Sequence, residues 1–378
     1  MKRILLPVLF VSLTFWGTSW AQLSTPDPFL STASSPAGQI FICPAGDGYT
    51  IPHEASVITV TLVDASGVPV AGYPGEDIVI ERNIPGKIVF CEGGERNYAD
   101  TDTDAMGMTI FSQAFSGTGC TQGGLRVVVG GIPLEGDPLP LDVISFDMNG
   151  DCVVDFRDFV KFSTSYGGAY SYCADFRQDS VVDDLDFIDF YNHYCHPWDP
   201  NPPASSFAMA GEIGLFFDTA GTQSGIQGLG TGDTFEFYVV ALSAPGGIAG
   251  FQYGITFDAT NVRITEGTSQ FPGISIGGLL ANVNMGLFSG CEQISGPTVL
   301  VSYQATLWGP VTDSPICLVQ SDEVVCNTGP TGPSYISCVD GERLQFNQAY
   351  EGCAFINGMG PVASEPTTWG SLKALYRD

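Results

Sequence analysis

The segment that organises this chain is DMNGDCVVDFRDFVKFSTSY (147–166), joined by GGAYSYCA (167–174) to DFRQDSVVDDLDFIDFYNHY (175–194). Moving the first stretch by 28 positions (175 − 147) lays Asp147 on Asp175, Asp151 on Asp179, Val153 on Val181, Val154 on Val182, Asp155 on Asp183 and Asp158 on Asp186. The same offset carries Phe159 onto Phe187, Phe162 onto Phe190 and Tyr166 onto Tyr194. One offset holding over so many positions is the mark of a duplication.

The repeated residues share a chemistry. In the first copy oxygen-bearing side chains stand at positions 1, 3, 5, 9 and 12 of a 12-residue run: Asp147, Asn149, Asp151, Asp155 and Asp158. Calcium takes six to eight hard oxygens, and such a loop supplies them from positions 1, 3, 5, 7, 9 and 12, with a backbone carbonyl at 7. Val153 gives that carbonyl in copy one. Asp175, Asp179, Val181, Asp183 and Asp186 are the corresponding residues of copy two. Position 8 is the apolar Val154, expected where two loops meet in a short strand. Beyond position 12, Phe159, Phe162 and Tyr166 recur every three or four residues, as on one helix face. The pattern predicts a calcium loop followed by a helix, twice, with no long helix before the first loop. The alternative is an acidic helical pair that holds no metal.

Residues 142–197 thereby resemble a type I dockerin, the duplicated loop–helix calcium module of secreted multimodular proteins. In that family position 12 is Asp, as Asp158 and Asp186 are here. The resemblance implies two bound Ca2+ ions and an extracellular cohesin-like protein partner. The chain departs from the family at three places. Position 6, usually Gly, is Cys152 or Ser180. Position 3 of copy two is Arg177, which ligates no cation. Positions 10 and 11, where the family often recognises its partner, are Phe156-Arg157 and Asp184-Leu185.

Composition bounds the rest. The 378 residues carry 13 Lys+Arg against 41 Asp+Glu, a net charge of −28, which repels nucleic acid and anionic membranes as partners. Charged residues are only 14 %, with 47 Gly and 25 Phe, a turn-rich aromatic make-up that fits β structure. MKRILLPVLFVSLTFWGTSWA (1–21) has a basic start, an apolar middle and small residues at Ser19 and Ala21, so it reads as a signal peptide cut after Ala21. No other stretch is long and apolar enough to span a bilayer. Export to a secreted or cell-surface location suits the 11 cysteines.

Outside the repeat the chain reads as strands and turns. Residues 22–38 are rich in Ser, Thr and Pro and are expected to be a loose leader. Residues 39–141 hold the β-branched run 57–63, the turn Asp64–Gly67 and the run 125–129. They read as a β-sandwich. VTLVDASGVPVAG with TDAMGMTIF resembles bacterial immunoglobulin-like modules of the invasin type, which implies a spacer or stalk. Residues 198–205 form a proline-rich linker, expected to leave few contacts between its neighbours. Residues 206–359 are a second β region. TGDTFEFYVVALSAPGGIAGFQYGITFDATNVRI (231–264) resembles cohesin-like and related carbohydrate-binding jelly rolls, while a generic nine-strand sandwich fits the same pattern. Residues 360–378 read as a spacer and a short helix capped by Thr368.

Catalytic motifs are weak. Gly273-Ile274-Ser275-Ile276-Gly277 matches G-x-S-x-G, but none of the three histidines (His53, His193, His196) follows the serine, as that motif demands. Two carboxylates converging from distant strands are not readable from sequence. His193 and His196 beside Cys195 fit either a metal cluster or, better, a helix end, where a cation suits the dipole. Each of the three regions holds an odd number of cysteines, so in each at least one is free or pairs with another region.

The expectation is thus a mainly β, multidomain, non-enzymatic protein, with two β-sandwiches flanking a small helical calcium module. It would assemble extracellular complexes or attach to a surface, by a protein partner or a polysaccharide. Alternatively the last sandwich holds carbohydrate while the calcium module only braces the β regions, or the module carries a small glycoside hydrolase.

Overall fold

Alternating buried and exposed residues shape the first region. Ile58 and Val60 turn inward while Thr59 and Thr61 do not, the period-two pattern of a strand with one covered face. A computed structural model describes residues 24–36, 38–44, 57–82, 88–91, 97–112, 117–134, 139, 141–195, 207–321 and 332–360. The expected signal peptide, the linker 198–205 and the tail after Gly360 lie outside the described residues.

Among the described residues, ten short strands build the first region: β1 (Thr32–Ser34), β2 (Gln39–Ile42), β3 (Ile58–Thr61), β4 (Ile78–Arg82), β5 (Ile88–Phe90), β6 (Met108–Phe111), β7 (Gly117–Gly119), β8 (Leu125–Val129), β9 (Ile132–Pro133) and β10 (Asp142–Ser145). They pair as β1–β3–β6, β4–β8–β9, β5–β7 and β2–β10. Ile58, Val60, Ile78, Ile80, Leu125 and Val127 close over one core. The expected turn at Asp64–Gly67 forms: Asp64 O accepts from Gly67 N–H at 2.8 Å, with Gly67 at φ 75°. Asp104 and Gly107 repeat this turn at 2.9 Å.

Two expectations need correction here. The stretch 22–38 is not a loose leader throughout. β1 pairs antiparallel with β3, and Asp27 N–H bonds Val63 O at 2.8 Å, so 27–34 belongs to the first sheet system. Residues 142–145, read as the start of the calcium module, form β10 and pair parallel with β2. The polar composition of 22–38 hid an edge strand, whose partner is what stabilises it.

Next come α1 (Phe156–Tyr166) and α2 (Asp184–His193). Each starts at an Asp, Asp155 or Asp183, that accepts from the backbone two residues on. Each also closes a capping box with the Asp three residues later. Phe159, Phe162, Phe176 and Phe190 pack between the helices.

The last region contains β11 (Met209–Phe216), β12 (Gly225–Ile226), β13 (Thr234–Phe257), β14 (Val262–Ser269), β15 (Gly273–Ile276), β16 (Asn282–Leu287), β17 (Glu292–Ile294), β18 (Thr298–Leu307), β19 (Ser314–Val319), β20 (Ser334–Ser337), β21 (Arg343–Gln348) and β22 (Cys353–Ile356). Its spine is the 24-residue β13. The first half pairs with β11 and β18, the second with β16, β19 and β20. Register shifts between Ala244 and Ile248, with Gly246 at φ 83° and Gly247 at φ 74°, let one strand cross from one layer to the other. Phe235, Phe237 and Val239 from the first half meet Phe251, Tyr253 and Ile255 from the second in one core. That makes the region a β-sandwich. With twenty-two strands and two helices among the described residues, the protein is mainly β.

The duplicated helical module is not set apart by its flanks. Its aromatic core includes Phe41 and Ile144 from the first region and Ala249, Ile276 and Ile336 from the last. A methyl on Gly250 would run into Val160, and one on Gly286 into Ser163, so α1 lies close on the backbones of β13 and β16. The expectation of few contacts across the linker therefore fails. Proline content describes the connection itself, while the contacts come from residues far away in sequence.

Candidate metal centre

Both copies of the repeat share most of their loop hydrogen bonds. At position 12, Asp158 accepts from Asn149 N–H at 2.8 Å and Asp155 N–H at 2.9 Å. Asp186 accepts from Arg177 N–H and Asp183 N–H, both at 3.0 Å. At position 1, Asp147 accepts from Gly150 N–H at 2.7 Å and Cys152 N–H at 2.6 Å. Asp175 accepts from Asp179 N–H at 3.2 Å and Ser180 N–H at 2.9 Å. At position 5, Asp151 and Asp179 accept from the position-7 amides of Val153 at 3.1 Å and Val181 at 3.0 Å. Backbone amides thus turn these carboxylates inward and fix them before any cation arrives.

The sharp turn is reached without glycine at position 6. Cys152 sits at φ 68° and Ser180 at φ 70°, a region that side chains other than glycine's rarely adopt. In loop one the Cys91–Cys152 disulfide ties this strained residue to the first β region, and Cys120–Cys173 adds a second tie to the connector between the copies. Both bonds join regions, one of the two outcomes the odd cysteine counts left open.

The copies differ in their clusters. Asp147, Asp151 and Asp158 each bring an oxygen within 4.8 Å of the others; Asp175, Asp179 and Asp186 form no such group among the described residues. Asp147 and Asp158 are fully buried. Burial, then the neighbouring charges of Asp155 and Asp147, hold the Asp158 carboxyl well above the usual carboxylate range. Burial also raises Asp151, although Arg157 pulls the other way. Buried carboxylates facing one another favour a divalent cation. Asn149 Oδ1 accepts from Asp151 N–H at 2.8 Å, and the Asn149 NH2 donates to Asp151 Oδ2 at 3.1 Å, so this side chain packs against the position-5 residue. Oxygen donors of this kind at positions 1, 3, 5 and 12 fit Ca2+, with Val153 O and Asp155 completing the set expected from sequence.

Two arginines escaped the sequence reading as site residues. Arg157, at position 11, makes ion pairs with Asp151 and, at 3.0 Å, with Asp155. Burial opposes its charge, but its bond to Asp155 and the charges of Asp155 and Asp151 outweigh that and keep it protonated. It is a resident cation that an incoming ion must compete with. Arg343, from the last sandwich, is buried, with its guanidinium 5.7 Å from the Phe156 ring. It donates to Gln252, which in turn donates to Asn284. A basic residue at position 11 is visible in sequence; a strand arginine nearly 190 positions from the loop is not (343 − 155 = 188).

Loop two carries Arg177 where copy one has Asn149. Its side chain turns away and pairs with Asp189 at 2.9 Å. Tyr170 takes part instead, donating to Asp175 at 2.8 Å. Val153 and Val154 lie outside the regular strands, and Val154 O accepts from Cys195 N–H at 2.7 Å. The short strand expected at position 8 is therefore not formed there. His193 is buried, stacked on Phe146 at 4.1 Å, with Nδ1 3.8 Å from Cys43 Sγ; Cys195 is disulfide-bonded. His193 is the last residue of α2, as the helix-end reading has it, but it sits in packed core; His196 lies outside the described residues. Ser275 of the G-x-S-x-G match lies within the strand β15 and so has no strand–turn–helix elbow.

A cleft of about 370 Å3 opens beside loop one. Asn149, Asp151 and Lys161 from the module and Asp340 and Glu342 from the last region are among the residues that line it.

No family model matches this chain, and no curated protein does. Among solved structures, it is similar to a type II cohesin domain from the cellulosome of Acetivibrio cellulolyticus: 14 % identity, TM-score 0.28, 41 % of this chain and 98 % of that one. A type I cohesin–dockerin complex from Clostridium thermocellum aligns at 11 % identity and TM-score 0.29, over 41 % of this chain and 97 % of that one. The cohesin module of a family 33 glycoside hydrolase from Clostridium perfringens aligns at 14 % identity and TM-score 0.25, over 37 % and 98 %. Among the described residues no helix is long and apolar enough to cross a membrane.

Proposed function

We propose that this is an exported, non-catalytic binding protein in which Ca2+ held by loop one braces two β-sandwiches, for extracellular assembly or attachment to a surface. The observation that carries this reading is the position of the module. Its core is shared with both β regions, and two disulfides tie it to the first. An ion between Asp147, Asp151 and Asp158 therefore fixes the joint between them. The disulfides and the N-terminal leader agree with an oxidising extracellular compartment. The test is calorimetric titration of the mature chain with calcium, followed by limited proteolysis. One dominant site is expected, with cleavage within 142–195 in EDTA and protection in calcium. A chain with no heat of binding and the same cleavage in both conditions would refute the brace.

A second reading, docking to a cohesin-like protein through the module, is favoured by one feature. On α1, Val160 and Ser163 are buried against the last sandwich. Their counterparts on α2, Ile188 and Tyr191, are 49 % and 52 % exposed, with Leu185 beside them at 45 %. Titration of the chain with a cohesin module, repeated with Ile188→Asp, separates assembly by this helix from bracing alone.

A further inference from the structure

The outer face of β13, β18 and β14 carries polar side chains in register and belongs neither to the metal centre nor to any docking helix. β18 runs between the other two strands, so cross-strand partners form rows. Glu236, Gln304 and Glu266 make one row; Tyr238, Ser302 and Thr268 make the next. Phe235, Phe237, Tyr303 and Ala305 alternate with them and fill the core. The outward set is therefore not spare core. Partners in a row stand about 5 Å apart, and the strip from Ser302 to Thr306 runs for about 14 Å.

We infer that this face is a binding site for a neutral oligosaccharide. A cleft of about 220 Å3 lies over it, with Thr219 on one side. That is below the ~300–1,000 Å3 of a pocket for a drug-sized ligand, so the cleft holds one ring of a chain while the strip holds its neighbours. The chemistry alternates acceptors with two-way groups. The carboxylates of Glu236 and Glu266 accept from hydroxyls, and the Gln304 amide between them both donates and accepts. Tyr238 OH donates to Glu236 at 2.6 Å and Gln270 donates to Ser302 at 3.3 Å, which holds these groups in place. At the end of the strip Trp308 is 62 % exposed, with the Arg263 guanidinium 5.2 Å from its centroid. The cation steadies the indole and leaves apolar surface for the C–H face of a sugar ring. Two glutamates repel acidic sugars, and Arg263 in the adjoining row disfavours a cationic chain.

This inference extends the reading as a binding protein and does not depend on calcium. The probes are neutral hexasaccharides of glucose, xylose, mannose and galactose, with hexagalacturonate and hexalysine as charged controls, titrated into the mature chain in calcium. One neutral hexasaccharide should bind, and hexagalacturonate should not. Gln304→Ala and Trp308→Ala should each weaken binding about tenfold or more without moving the melting temperature or its response to calcium. Glu76→Ala, exposed in the first β region, should leave affinity unchanged. Failure of every neutral probe at millimolar concentration overturns the inference, as does binding that both variants leave intact. Binding of hexalysine alone, lost in Glu266→Gln, overturns it in favour of a basic peptide. None of these results alters the calcium-dependent cleavage that tests the brace.

Discussion

The duplication supplies its own control for the most direct test of the metal centre. Asp158 and Asp186 occupy position 12 of the two copies and accept the same pair of amides, from positions 3 and 9. Replacing either by Asn keeps one acceptor oxygen and turns an NH2 toward the second amide. In EDTA each variant should lose one hydrogen bond to a charged group, about 1.5–3 kcal/mol. Relief of carboxylate repulsion offsets part of that at Asp158. Calcium separates the two. An ion bound only by the folded loop adds RT ln(1 + [Ca]/Kd), about 2.7 kcal/mol at a hundredfold excess over Kd. Asp158→Asn should forfeit most of that gain because it removes a charged ligand from the close group; Asp186→Asn should forfeit much less. Global melting mixes three regions, so native-state hydrogen exchange of the segments 147–166 and 175–194 is the assay. It reads the free energy of local opening. Equal losses in EDTA and in calcium for Asp158→Asn would refute the site. Equal calcium-dependent losses in both variants would refute the ranking of the two loops.

Other outcomes follow from the same geometry. Arg157→Ala removes the cation that competes for Asp151 and Asp155. It should tighten calcium binding a few-fold, equivalent to ~1 kcal/mol, as read by titration calorimetry. Replacing Cys91 and Cys152 together by Ser opens a crosslink of sequence separation 61. That should cost about 4 kcal/mol against chemical unfolding on the chain-entropy estimate, and should weaken calcium binding by loosening position 6. Burial raises the carboxyl pKa of Asp158 and Asp151 in the metal-free fold. Their contribution is therefore full below the unfolded value, near pH 4, and is lost as pH rises through the raised folded values. In EDTA the melting temperature should fall as pH rises above about 4, less steeply in Asp158→Asn, and calcium should reverse the fall. Segment 207–360 expressed alone exposes Ala249, Ile276 and Ile336. It should melt lower than the same region within the full chain, and an identical melt by calorimetry would refute the shared core.

Much of the candidate metal centre was legible because its carboxylates are close in sequence. Every first-copy ligand expected from sequence falls between Asp147 and Asp158, so spacing names the candidate carboxylates; that they close up in copy one and not in copy two among the described residues is tertiary. The capping boxes at Asp155 and Asp183 are likewise three-residue patterns. Strand 32–34 was not legible, because a polar edge strand is defined by its partner Thr59–Thr61 and not by its own residues. Nor was the difference between the loops fully readable. Arg177 at position 3 signalled that a ligand was missing, but its pairing with Asp189 depends on where α2 lies.

The sequence by itself determined the duplicated acidic loops, the helices after them, the β character of both flanks and the odd cysteine counts, which leave in each region at least one cysteine free or paired outside it. These depend on period, spacing and parity, which a linear chain displays. The tertiary structure alone decided that the module shares its core with both sandwiches, that Arg343 comes to lie over Phe156, and that Glu236, Gln304 and Glu266 form one row. Those facts come from strand register and close backbone approach at Gly250 and Gly286, set between residues tens to nearly two hundred positions apart, where no local pattern reaches.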